Sequence, residues 1–167
     1  MSVDLRRRTV SLVGRNPAAT APVGRLTPDG TGWIGAHGGA GVSTLAGLLG
    51  GADLGCRWPD PDRAEPARVF LVARTHASGL QAASQTLNAM REGRHPSGME
   101  LVALVLVADA PGSLPRALLN RVRVLRSVAP VQRIPWITEW RLGEQPRRLP
   151  RQVDLLDRQL RELGVAQ

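Results

Sequence analysis

Ten consecutive residues hold the types and spacing for binding a phosphate: Gly35, Ala36, His37, Gly38, Gly39, Ala40, Gly41, Val42, Ser43 and Thr44. Glycine lets backbone N–H groups turn inward around an anion. The run follows Gly32-Trp33-Ile34, which reads as a short strand. It precedes Leu45, Leu48 and Leu49, the apolar side of a short helix that Gly50-Gly51 ends. The start of that helix adds the positive end of its dipole. The hydroxyl of Ser43 or Thr44 could hold Mg²⁺. The same glycines would also serve a tight turn between strand and helix that takes no ligand.

The usual phosphate-loop pattern is G-x-x-x-x-G-K-[ST]. Ala36 to Thr44 approaches it, with Val42 standing where the lysine belongs. That lysine neutralises charge on the β- and γ-phosphates during transfer, and valine supplies none. Backbone N–H groups and the helix terminus could still bind ATP or ADP, with Mg²⁺ at Ser43. Hydrolysis would need a cation from elsewhere. His37, Arg57 and Arg74 are the candidates, and nothing in the sequence brings any of them to the loop.

The remaining segments must position that loop. Residues 52 to 66 hold three prolines and read as a loop; Asp53, Asp60 and Asp62 within it fit either a switch segment or a solvated surface. Val69 to Val72 reads as a buried strand. A helix follows, with Ser78 and Gln81 forming a capping box and Leu80, Ala83, Leu87 and Met90 on one face. Leu101 to Val107 is apolar throughout, as expected at the centre of a parallel sheet covered on both faces. It ends at Asp109-Ala110-Pro111-Gly112. Ser113 can cap the next helix, which turns Leu118, Val122 and Leu125 inward and Arg116, Arg123 and Arg126 outward. A last strand is expected over about Val128 to Ile134, then a turn or short helix from Trp136 to Leu142. After Pro146 and Pro150 a final helix runs to Leu163 with Val153, Leu156, Leu160 and Leu163 on one face. Strands alternating with helices predict an α/β fold: a small, doubly wound, mostly parallel sheet flanked by helices. Residues 1–28, rich in Arg, Pro, Ala and Gly, read as a disordered basic arm, leaving 29–167 as one domain.

His37-Gly38-Gly39-Ala40-Gly41-Val42-Ser43-Thr44 resembles the deviant Walker A motif of the ParA/MinD family, K-G-G-x-G-K-[ST]-[ST]. Those P-loop ATPases position plasmids, chromosomes and division or conjugation machinery. On this match His37 stands at the family's signature lysine and Val42 at its catalytic lysine, so both are replaced. Val69 to Arg91 is similar to the strand and helix after the family's switch regions. Leu101 to Ala108 is similar to the strand leading to its base-recognising loop, and Gln132-Arg133-Ile134-Pro135 to its Ile-Pro segment at the adenine. No strand stands out as carrying the usual Walker B aspartate. Asp109 has three readings: a turn residue before the next helix, part of the base-recognising loop, or a Walker B carboxylate. The whole chain also resembles small actinobacterial proteins found near mobile elements. The resemblance implies a nucleotide-binding regulatory or partner protein with a degenerate Walker A loop. It would show little or no hydrolysis, bind a protein partner or a second copy of itself, and be linked to DNA partition or transfer. Asp109 and Pro135 would join the loop in the nucleotide site.

Two other readings stay open: an active ATPase with a displaced catalytic cation, and an arginine-rich nucleic-acid-binding or scaffold protein with a purely structural loop. All 22 cationic side chains are arginine and the net charge is +8, which suits nucleic acid or an anionic surface. The arginines are scattered, however, and the aromatic interleaving that stacks bases is missing. The lack of lysine is what codon bias in a GC-rich genome produces. Cys56 is the single cysteine, which fits a reducing compartment. The longest apolar run is too short to span a bilayer, and the apolar stretch after Arg6-Arg7-Arg8 breaks at Gly14-Arg15; a cytoplasmic protein is expected. His37, His76 and His95 lack metal-ligand spacing, and the last two read as surface loop residues. Trp136 and Trp140 fit either an interaction patch or burial against the sheet edge.

Overall fold

A computed structural model describes residues 25–27 and 29–163. Its longest strand, β4 (Glu100–Val107), shows how the sheet is covered. Ala103, Val105 and Val107 face one apolar cluster, while Leu104 and Leu106 face another. Such two-sided burial is what a continuous apolar run requires in a parallel sheet. Five parallel strands lie in the order β2 (Ala52–Asp53), β1 (Gly32–Gly35), β3 (Arg68–Arg74), β4 and β5 (Val131–Ile134).

Helices cover both faces. On one, α1 (Val42–Leu49) contributes Val42, Leu45 and Leu49, and α5 (Arg151–Glu162) contributes Val153, Leu156 and Leu160. On the other, α2 (Ala77–Arg91) contributes Leu80, Ala83 and Leu87, and α3 (Arg116–Arg126) contributes Val122 and Leu125. A single turn, α4 (Thr138–Arg141), follows β5. The expected doubly wound α/β architecture is therefore present. Among the described residues no helix is long and apolar enough to cross a membrane.

Several local expectations change. Residues 52 to 66 are not wholly loop, because Ala52–Asp53 forms β2 on the free edge of β1. Two residues carry no periodic signal; the open edge of β1 recruits them. His76, not Ser78, caps α2: its Nδ1 accepts from the Gly79 amide. An imidazole nitrogen here does the work of a capping carboxylate. Pro115 rather than Ser113 precedes α3, without a side-chain cap. The last strand starts at Val131, not Val128. The arm expected over 1–28 lies outside the described residues except at 25–27. There Leu26 is buried, and Thr27 exchanges backbone hydrogen bonds with Glu65 and Ala67. Leu26 and Thr27 thus pack on the domain.

Trp33 of β1 fixes both ends of the segment that matters most. It is fully buried and stacked on Phe70, with ring centroids 4.8 Å apart. Its indole N–H donates to the Gly50 carbonyl at the end of α1. A buried indole needs such a partner, and here the bond ties the strand before the loop to the end of the helix after it.

Candidate functional site

In this strand order the chain runs from β1 outward to β2, then crosses back to β3 on the other side. Ligands of open α/β sheets bind outside the carboxyl ends of the strands where the winding reverses. That point lies between β1 and β3, where the glycine run follows β1 and Arg74-Thr75-His76 follows β3.

Gly35 is still a strand residue, bonded to the Gly55 carbonyl, and Ala36 donates to Val72. The turn proper is His37 to Gly41. Gly39 and Gly41 take φ values of 74° and 108°, a backbone region that favours glycine. Ala40 is buried and donates to the His37 carbonyl. The first helical bond runs from the Leu45 amide to the Gly41 carbonyl. The amides of Val42, Ser43 and Thr44 are thus the open first-turn donors. Val42 points into the apolar core, 7% exposed, and its methyl packs beside Gly35.

His37 does not reach outward. Its Nε2 accepts from the Arg74 amide at 3.0 Å, and its Nδ1 lies 2.9 Å from the Gly38 carbonyl. Acceptance at Nε2 with donation from Nδ1 describes a neutral ring folded back on β3.

Ser43 has an acidic partner that the sequence did not assign to it. Its hydroxyl donates to Asp53 Oδ2 at 2.6 Å, and Asp53 Oδ1 accepts from the Gly55 amide at 2.9 Å. Asp53 ends β2, beside β1, so the carboxylate meets the start of α1. The available signal was Ala52-Asp53 lying just after the helix stop at Gly50-Gly51, where a strand–loop–helix unit returns to its sheet.

The segment behind Asp53 is held by an ion pair. Arg57 binds Glu65 through two parallel bonds of 2.7 and 2.6 Å, and Glu65 also accepts from the Asp60 amide. The hydrogen bonds from Arg57 hold the Glu65 carboxyl at about 2, and the same pair raises the Arg57 value. Because the folded value lies below the unfolded one, the stabilisation is complete above the ordinary carboxylate range and is lost as pH falls through about 2. Melting temperature should therefore fall more steeply in the wild type than in Glu65→Gln once pH drops below about 4.5. Parallel acid titrations of the two proteins, followed by thermal melts, check this.

Two adjacent cavities occupy the carboxyl edge. One, of about 310 Å³, is formed by the glycine turn, Ser43, Thr44, Asp53, Cys56 and Arg74. The other, of about 480 Å³, is walled by His76, Asp109, Pro135, Trp136, Trp140 and Arg141. Gly39 and Arg74 line both. The structure thus brings Asp109 and Pro135 to the loop. Asp109 is clamped on the β3–α2 turn: Thr75 Oγ1 donates to its Oδ1 at 2.5 Å, and its own amide lies 3.2 Å from Thr75 Oγ1. The carboxylate bonded to Ser43 is Asp53, not Asp109. His76 is a half-buried wall residue rather than a surface loop residue. Trp136 and Trp140 are half-buried in the same wall, and Trp140 also packs on the core.

Residues 30–156 match the model of a family of unknown function, DUF6668. The chain belongs to this family. The matched span contains the glycine loop, Asp53, Arg74, Asp109 and Pro135, so the whole candidate site lies in the DUF6668 region. No curated protein and no solved structure matches the chain.

Proposed function

We propose that this DUF6668 protein binds a nucleotide or another phosphate-bearing ligand at residues 36–44 and acts as a regulatory or partner protein with little or no ATP hydrolysis. The Ser43–Asp53 hydrogen bond at the mouth of the glycine turn carries this reading. A hydroxyl and a carboxylate beside a helix start are hard oxygen donors of the kind that hold Mg²⁺ against phosphate oxygens. The glycine turn and the open amides of Val42 to Thr44 supply the anion cradle. The larger cavity, with Asp109, Pro135 and two tryptophans, has room for a nucleoside.

Two features support binding without turnover. The residue at the catalytic-lysine position is an apolar side chain buried in the core. The residue at the signature-lysine position is a neutral imidazole turned back onto β3. A role with DNA partition or transfer machinery, through a protein partner or a homodimer in the cytoplasm, follows from the ParA/MinD resemblance of His37 to Thr44 alone.

Calorimetric titration with ATP and ADP, with and without Mg²⁺, tests the reading. Affinity in the micromolar range, about 8 kcal/mol, is expected. Affinity weaker than millimolar for both nucleotides would overturn it. Mg²⁺-dependent phosphate release at an ordinary enzymatic rate, about 1 per second or more, would replace it with an active ATPase. DNA affinity that falls steeply with salt, in a protein without nucleotide affinity, would favour the scaffold reading instead.

A further inference from the structure

The loop's missing charge has three candidate sources, and the structure separates them. His37 is neutral and bonded to the Arg74 amide. Arg57 is committed to Glu65 through both terminal nitrogens. Arg74 is in neither position. It ends β3, is half-buried, and lines both the loop cavity and the larger cleft.

The geometry of its guanidinium is specific. Nε donates to the Gly39 carbonyl and Nη1 to the Ala108 carbonyl. Nη2 has no acceptor among the described residues, and it is the nitrogen nearest the inner side of Gly41, 4.0 Å from where a methyl there would sit. Arg74 makes no ion pair among the described residues. Burial pushes it below its ordinary value; Asp109 opposes this and Arg141 adds to it. The group stays cationic all the same. A partly desolvated guanidinium held by two neutral carbonyls, with a nitrogen open toward an anion cradle, is a site that a phosphate oxygen would complete.

We propose that Arg74 supplies from β3 the positive charge that the loop lacks at Val42, with Nη2 binding a phosphate oxygen of the nucleotide that lies on the turn. This rests on the phosphate-binding reading above. The two carbonyl bonds fix the fork between the cavities, so the nitrogen facing Gly41 meets a phosphate lying on the turn.

The test is calorimetric titration with ADP of the wild type, Arg74→Gln, Arg74→Lys and, as a control for net charge, Arg123→Gln on the exposed face of α3. Arg74→Gln should lose about tenfold to a hundredfold in ADP affinity, Arg74→Lys clearly less, and Arg123→Gln almost nothing. Thermal melts confirm that each variant is folded. Independently of any variant, ADP should protect Arg74 of the wild type from phenylglyoxal, read by mass spectrometry.

A wild type that binds no nucleotide removes this inference together with the reading beneath it. A wild type that binds ADP, with folded Arg74→Gln binding equally well or Arg74 left unprotected, overturns the inference alone. Equal losses in Arg74→Gln and Arg74→Lys would make Arg74 a brace for the loop rather than its charge, which also overturns it.

Discussion

Gly41→Asp is expected to lower nucleotide affinity by more than about a hundredfold, roughly 3 kcal/mol, in a protein that still folds. Gly41 caps α1 with φ 108° and ψ 15°. A side chain there carries backbone strain of about 1–3 kcal/mol. Its first carbon would lie 4.0 Å from Arg74 Nη2 and 4.0 Å from a Val107 methyl. A carboxylate on that carbon reaches the guanidinium and takes the place of a bound phosphate. The ligand then loses its cation and meets a like charge, while the new ion pair offsets part of the strain. Gly41→Ala brings the strain without the charge and should lose much less affinity. Titration of both variants beside thermal melts separates the two effects; folded Gly41→Asp with wild-type affinity would show that the turn is not where the anion binds.

Gly79→Ala is expected to destabilise the protein by about 3 kcal/mol, against the usual sign of such a change in a helix. Gly79 lies in the first turn of α2 and is buried. A methyl there would sit 2.3 Å from the Arg74 carbonyl oxygen, 3.1 Å from its carbon and 3.0 Å from His37 Nε2. The nearest atoms are backbone, and the amide of the same residue is bonded to His37. Relief requires the start of α2 to move away from β3, taking with it the His76 cap and the Arg74 geometry. Gly47→Ala in α1 is the contrast, because nothing lies within 4 Å of the added methyl. It should gain up to about 1 kcal/mol from helix propensity. Thermal melts of both should move in opposite directions, with a loss of about 10 °C for Gly79→Ala. A Gly79→Ala protein as stable as the wild type would mean that α2 can approach β3 less closely without cost. The same variant should also weaken ADP binding, since Arg74 and His37 meet at the carbonyl that must shift.

The elements that sequence alone determined are those whose signal is local and repeated. Leu101 to Val107 announces a strand buried on both faces because every residue in it is apolar. Leu80, Ala83 and Leu87, and likewise Val153, Leu156 and Leu160, announce helices because their spacing follows the turn of the chain. The glycine run was legible as a turn between strand and helix because no other residue type takes those backbone angles as readily. Tertiary structure decided the pairings across the carboxyl edge. Asp53 meets Ser43 because two unremarkable residues add to the open edge of β1. His37 meets the amide of Arg74, 37 positions away, and Thr75 meets Asp109 across 34. Such contacts leave no period in the chain. Which arginine faces the loop was equally invisible, since Arg57 and Arg74 differ only in what folding brings near them: a carboxylate for the first, two carbonyls and a cavity for the second. Local pattern sets where strands and helices form; only the closing of the sheet sets which charges they leave unpaired.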